Sequence, residues 1–434
     1  MDNNVQVATP EYTDKHELII QLEKTPLYSW WVLVVSLLCF MTSFISLAMT
    51  SVFGTIIQQG WGISATKLSL LTTAFMFTFT VVPIFAGNWA ARIGVKKIVL
   101  IGMLINILSA LLLPVVGQAF GGLLFLKLLQ GCTGGLMNST LAAHASLWFP
   151  KNKRGLATGI LMGFLGIGFT LASFIGPILL QSGMTWQMAN LWMVFVPSFV
   201  SVLLFLFTVK DFQKAYPFVK SMDDFLPPVA ENKKSTRFDH LPKPGNMKEV
   251  MRNRRVWFSG IYGAGTAVTL YGLTYALPLY LEQSRGLSLV VASSILGTTF
   301  FFKLVAAPIG GMLSDKVFKS ERYQTNVIGA LLAGTLILLL PTVPNSILTI
   351  YLCIMFTAAS LYGGTYWTWA PELSQPQATY QTGGFIVTIS NIGGLVIAPI
   401  LGIIIDTTGS VTMAMAFIGV VTLVSIIAAY FSKI

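Results

Sequence analysis

Charge is scarce in this chain. Only 10% of its 434 residues are Asp, Glu, Lys or Arg, against about 25% in a soluble protein, which excludes a water-soluble domain. Cysteine is scarcer still: Cys39, Cys132 and Cys353 are the whole set, each inside an apolar run. No C-x-x-C or other metal-ligand spacing exists, so a metal site is not expected and the thiols read as buried and structural. Nucleophile–base pairs, metal sets and phosphate loops are missing in and beside the apolar runs, so neither an enzyme nor a cofactor is expected. The most telling shortage is of negative charge at depth. None of the 16 acidic residues lies inside an apolar run; Glu282, Glu372 and Asp406 fall at the ends of runs.

What is present is apolar. The chain is 54% hydrophobic, with a mean hydropathy of +0.74, and apolar runs of about 20 residues recur along it, each long enough to cross a bilayer. The 30 Phe and 39 Gly suit packed membrane helices. Twelve spans are expected, at about 29–57, 67–90, 98–117, 121–148, 156–182, 186–209, 256–281, 287–313, 324–342, 347–369, 382–406 and 411–431. Residues 210–255, rich in Lys, Asp and Pro, divide them six and six. The expected organisation is a cytoplasmic segment 1–28, a first bundle 29–209, a cytoplasmic linker 210–255 and a second bundle 256–434. The N-terminal segment has no basic n-region or cleavage site, so it reads as no cleavable signal.

The net charge of +11 does not point to nucleic acid, because most Lys and Arg sit in short loops beside the spans. With the N-terminus cytoplasmic, 23 of the 27 basic residues fall on the inner side and only Lys67 and Arg285 on the outer. The positive-inside rule therefore places both termini and the linker in the cytoplasm of a multi-pass cell-membrane protein.

The remaining two basic residues, Lys127 and Lys303, lie within spans four and eight. An ionisable residue at membrane depth costs about 2.5–3.5 kcal/mol on insertion scales and marks a functional site by default. Lys127 is about 9 Å from the outer loop along a helix and can partly snorkel outward. Lys303 lies 18 residues after Arg285 and 12 before Asp315, about 27 and 18 Å along a helix, beyond the reach of a lysine side chain. It must face a polar cavity or the interface between the halves. Two unmatched positive charges suggest that the counter-charge arrives with a substrate.

The two halves repeat. Gly87-Asn-Trp-Ala-Ala91-Arg92-Ile-Gly94-Val-Lys96-Lys97 follows span two, and Gly311-Met-Leu-Ser-Asp315-Lys316 follows span eight, 224 positions on. Thr158-Gly159 recurs as Thr382-Gly383, and Pro177 as Pro399. These features resemble the major facilitator superfamily over nearly the whole chain. Gly87, Arg92, Gly94, Lys96 and Lys97 match its signature loop G-x-x-x-D-R-x-G-x-[RK]-[RK], with Ala91 at the acidic position; Gly311, Asp315 and Lys316 match its second copy and keep the acid. The resemblance implies an all-α membrane fold of twelve transmembrane helices in two pseudo-symmetric six-helix bundles, with a site between them near the midplane. It also implies that these loop residues act as cytoplasmic gate latches. The alternative is a topology signal alone.

Lys127-Leu-Leu-Gln130-Gly131 resembles the family's fourth-helix motif R-x-x-Q-G-x-G. Lys127, Gly131, Gly134 and Asn138 share one helical face, where small residues admit a close neighbour. Lys127 reads equally as a gating support or as a secondary substrate contact beside Asn138. A basic residue in the eighth helix resembles the oxalate/formate antiporters and monocarboxylate porters, in which it binds the substrate carboxylate. The oxalate-type lysine of the eleventh helix is absent; Thr388, Ser390 and Asn391 stand there instead. Tyr362, Tyr366 and Trp369 in span ten, with Trp367 alongside, and Tyr271 and Tyr275 in span seven form helical stripes. They serve either as packing and interfacial belts or as hydroxyl donors to a carboxylate near Lys303. Phe300, Phe301 and Phe302 add an apolar wall. His144 reads as an interfacial histidine or a proton carrier.

The expected function is secondary active transport of a small organic anion, a carboxylate first of all. Transport is by alternating access, with a co-transported proton or an exchanged counter-anion as partner, and by a monomer in the lipid bilayer. Drug and sugar carriers of the family place acidic residues within their spans, and this chain has none. The alternatives are an exporter of amphipathic or drug-like compounds, and a transporter-like sensor signalling through the 210–255 loop.

Overall fold

The computed structural model describes residues 27–149, 157, 160, 165–212, 240–318, 321–362, 365, 369–375 and 378–433, and every regular element among them is helical. In the first half these are α1 (Leu27–Val52), α2 (Gly54–Trp61), α3 (Ala65–Ile93), α4 (Val95–Val116), α5 (Phe120–Trp148), α6 (Leu165–Gln181) and α7 (Trp186–Thr208). The second half holds α8 (Met247–Arg252), α9 (Arg254–Leu279), α10 (Leu289–Met312), α11 (Arg322–Leu339), α12 (Leu348–Ser360), α13 (Trp369–Leu373), α14 (Thr379–Thr408) and α15 (Val411–Ser432). Among the described residues, eight helices are long and apolar enough to cross a membrane, and α6, α10 and α12 carry shorter apolar stretches.

Local chemistry sets the boundaries. Ser64, Thr185 and Ser410 accept a backbone N–H from the third residue of α3, α7 and α15, the N-cap bond that satisfies a free helix donor. Gly62 and Gly409 end α2 and α14 in the left-handed conformation that glycine adopts without steric cost. Two expectations change at this level. Span one does not run straight to residue 57: α1 stops at Val52, and α2 continues from Gly54 to Trp61. Span ten is not one helix to residue 369, because α12 ends at Ser360 and Leu361 and Tyr362 form a turn.

Helices α1 and α9 are buried on nearly all sides, and they make contact with most other helices of their own half. Facing protein, α9 can carry Thr, Ser and Gly along its length. Its Thr269 shares a 2.6 Å hydroxyl–hydroxyl bond with Thr422 of α15. Lipid-facing residues sit instead on the outer helices, such as Leu104 and Leu108 of α4 and Val420 and Val424 of α15.

Between the halves, α3 packs on α14 and α6 packs on α10, spans two against eleven and five against eight. Both seams are close. A Cβ at Gly166 would lie 2.6 Å from the Phe300 carbonyl oxygen, and one at Gly402 would lie 2.7 Å from the Thr66 Cα. Only glycine lets these backbones approach so far.

Candidate functional site

Lys303 occupies the α6–α10 seam. On α10, Phe301, Phe302 and Ile309 are exposed and mark the lipid face. By helical geometry Lys303 lies on the opposite side, toward α6, where its Cβ is 3.6 Å from the Cβ position of Gly166. The residue is half-buried. Among the described residues it has no hydrogen-bond or ion-pair partner. A cation in the protein interior, across the seam from the other half and without a counter-ion, can accept an anionic ligand.

One turn away, Phe300 stacks on Phe169 of α6, with ring centroids 4.5 Å apart and planes at 20°. Phe300 also meets Phe356 of α12 edge-on at 5.1 Å. The chain of rings continues through Phe44 of α1 to Phe79 and Phe75 of α3. The wall expected at Phe300 is therefore a ladder across both halves, whereas Phe301 and Phe302 turn to lipid. The sequence hid this because Phe44, Phe169 and Phe356 stand more than a hundred residues apart in an apolar background.

Lys127 differs from expectation. It does not snorkel outward; it is 1% exposed. Its ammonium donates to the Ser46 carbonyl and to Gln130 Oε1, each at 2.8 Å. Both partners lie in the first half. Ser46 bonds Asn106 Oδ1, and Asn106 in turn donates to Thr42 and Ser198. Lys127 thus anchors a buried polar cluster that ties α5 to α1, α4 and α7. Gly131 and Gly134, on the same stripe, let α3 approach at Phe75 and Phe79. Asn138 and Asn391 are half-buried in α5 and α14.

The tyrosines divide. Tyr271 is buried with its ring against Gly394. Tyr275 is not a free donor for substrate: its hydroxyl donates to the Ala65 carbonyl of the other half at 2.6 Å. Tyr362 packs edge-on against Tyr262, 6.4 Å away, near Trp369, whose ring lies 5.8 Å from Tyr262. Tyr366 and Trp367 lie outside the described residues, as does the side chain of His144.

Of the expected latch residues, Gly87 lies near the end of α3 and Arg92 and Lys97 are exposed. Gly94, at φ 93°, turns the chain from α3 into α4, which requires glycine. Lys96 donates to the Leu206 and Val209 carbonyls at 2.8 and 2.5 Å, neutralising the C-terminal end of α7. Gly311 is half-buried near the end of α10 and Lys316 is exposed; the Asp315 side chain lies outside the described residues. A charge contact that the sequence did not reveal lies beside it. Arg322 donates to Glu372 Oε1 from Nη2 at 3.0 Å and from Nε at 3.2 Å, and to Ser314 Oγ from Nη1 at 2.9 Å. By sequence Arg322 reads only as a topology charge and Glu372 as a span end.

The Major Facilitator Superfamily model matches residues 36–398. Relatives include a hexuronate transporter of Bacillus subtilis, 22% identical over 85% of this chain and 86% of its own. A probable sulfoacetate transporter of Cupriavidus necator is 23% identical over 92% and 93%. A probable galactarate/D-glucarate transporter of Escherichia coli is 23% identical over 88% and 89%. Among solved structures, a bacterial homolog of the human lysosomal transporter Spinster, inward-facing and unoccupied, superposes with a TM-score of 0.67 at 16% identity, covering 94% of this chain and 96% of its own. The family and these relatives are transporters rather than enzymes. The twelve expected spans, the two close seams and the family match agree: this multi-pass membrane protein belongs to the Major Facilitator Superfamily.

Proposed function

We propose that the chain is a secondary transporter of small organic anions, carrying a carboxylate between its two halves by alternating access. The observation that carries this reading is Lys303: an interior cation at the α6–α10 seam with no anionic partner among the described residues. An anion entering the seam supplies the missing charge, and the Phe300–Phe169 stack one turn away supplies an apolar wall. The relatives' names support the class, since hexuronate, galactarate, glucarate and sulfoacetate are all organic acid anions. Either a proton accompanies the substrate or a second anion is exchanged for it.

In this reading the lysine-rich end is cytoplasmic, and residues 29–209 and 256–434 are the two moving bodies. The end bearing Lys67 and Arg285 is outside. Lys303 is the main substrate contact. Lys127, with Asn138, Tyr271, Tyr362 and Asn391, lines or supports the path, while the loops at Gly87–Lys97 and Gly311–Lys316 gate the inner end.

The test is uptake into proteoliposomes of labelled glucuronate, glucarate and sulfoacetate, by the parent and by Lys303→Ala. Saturable uptake of at least one anion by the parent and its loss in the variant are expected. If Lys303→Ala carries that anion as well as the parent does, the reading fails.

A further inference from the structure

At the end of the seam that bears Lys67 and Arg285, the halves are joined by a polar contact unlike the glycine and aromatic packing deeper in. Asp406, two residues before the end of α14, reaches the first turn of α3. Its Oδ1 accepts the Ala65 N–H at 2.8 Å and its Oδ2 the Thr66 N–H at 2.9 Å. A helix leaves its first N–H groups without intrahelical partners. Here the Ser64 hydroxyl takes that of Lys67 at 3.1 Å, and a carboxylate from the opposite half takes the two before it. The Tyr275 hydroxyl, from α9, donates to the Ala65 carbonyl, so three helices meet at one turn. Gly402, one turn before Asp406, makes the approach possible by resting on Ala65 and Thr66.

The contact is not an ion pair. The Lys67 ammonium turns away, 5.0 Å from the Phe120 ring centroid, and leaves the carboxylate to the positive end of α3. Nearby, Gln283 donates to Gln58 at 3.1 Å across the same mouth.

We infer that Asp406 is the latch of the outer gate. It caps the N-terminus of α3 when the outer end is shut and releases it when that end opens. It takes its direction from the alternating-access reading above, but the contact itself is independent of the substrate's identity. On opening, the carboxylate and the two N–H groups pass to water, so the bias toward the closed state is moderate. A carboxylate at a partly exposed helix N-terminus shifts a two-state balance by about three- to tenfold, and salt weakens the effect.

The experiment uses the full chain in nanodiscs without substrate, with Cys39, Cys132 and Cys353 replaced by alanine and spin labels at Gln59 and Met413. Both label sites are exposed, one on each half. Distance distributions should show Asp406→Ala raising the long-distance, open population relative to the closed one by about three- to tenfold. Asp406→Asn should lie between it and the parent, and Thr407→Ala should match the parent. High salt should raise the open population of the parent and leave Asp406→Ala unmoved. If Asp406→Ala folds poorly, Ala65→Pro tests the contact from the other half. Proline is tolerated at a first helical position, Ser64 already has the extended backbone that a following proline requires, and the ring removes one of the two donors. Unchanged distributions in both variants would overturn the latch. Because no substrate is present, failure of the anion assignment would leave this result untouched, and failure of the latch would leave the uptake assay untouched.

Discussion

Replacing Lys303 by methionine keeps the length of the side chain and removes its charge, and the structure predicts opposite signs for binding and for stability. A charge-assisted hydrogen bond contributes about 1.5–3 kcal/mol, so loss of the Lys303 charge at the α6–α10 seam should weaken anion binding by about 10- to 150-fold. Uptake at low substrate should fall by the same factor. The empty protein should become more stable, because an unpaired interior ammonium costs about 2.5–3.5 kcal/mol on insertion scales, part of which a hydrated cavity already relieves. A gain of about 1 kcal/mol, read as a melting temperature raised by about 1 °C in a chain of this length, is expected without ligand. The rise in melting temperature that a bound anion gives the parent should vanish. Lys303→Arg keeps the charge and should retain measurable binding. Thermal melts with and without a panel of carboxylates and sulfonates, run beside uptake assays, measure all of these. Two results would refute the reasoning: methionine at 303 binding the anion as the parent does, or an empty variant that melts several degrees lower, which would mean that Lys303 had been paired all along.

Other residues give separate tests. Arg322→Met should destabilise the protein by about 1.5–3 kcal/mol, because it removes the charge-assisted hydrogen bonds to Glu372 Oε1 and Ser314 Oγ, as measured by chemical or thermal unfolding. Gly166→Val places atoms where the Phe300 carbonyl stands, so it should part the α6–α10 seam and lower uptake at least tenfold with little change in expression. Beyond the end of span seven, burial pushes the Glu282 carboxyl, beside Thr55, up to about 7 from 4.5. The closed state therefore binds a proton that the open state releases: closure is favoured at low pH and weakens as pH rises from 4.5 to 7. Accessibility labelling of the cavity from outside should increase across that window, and Glu282→Gln should flatten the profile.

Much of the fold was legible in the sequence because each feature has a short-range cause. Apolar runs of membrane length, caps such as Ser64, Thr185 and Ser410, and the 224-residue repeat mark the helices and halves without tertiary information. The breaks after Val52 and Ser360 were marked only by glycines, Gly54 and Gly363-Gly364, which are common inside membrane helices and so do not by themselves end one. At the candidate site, Lys303 stood out because a charge deep within an apolar span is rare. The role of Asp406 did not, because its partners are backbone N–H groups 340 residues away, and backbone donors leave no residue signature. Arg322 and Glu372 were obscured by their position at span ends, where charge is ordinary.

The two interior lysines show how the same problem is met in two ways. Around Lys127 the fold supplies neutral acceptors, the Ser46 carbonyl and Gln130 Oε1, at 2.8 Å each, and the cation is held within one half. Around Lys303 the Phe300 ring lies one turn back on its own helix, and from the other half the backbone at Gly166 comes close to its Cβ. Among the described residues no hydrogen-bond acceptor pairs with its ammonium. A ligand moves a conformational balance only by as much as it binds one state better than the other. An anion on Lys127 would bridge helices that stay together and would shift nothing. In the proposed reading, an anion on Lys303 touches the second half and lies against the first, so its affinity should depend on how closely α6 approaches α10. Such a dependence would couple binding to movement of the halves, and the prediction is that the charge at Lys303 controls both affinity and the rate at which the loaded carrier changes its facing.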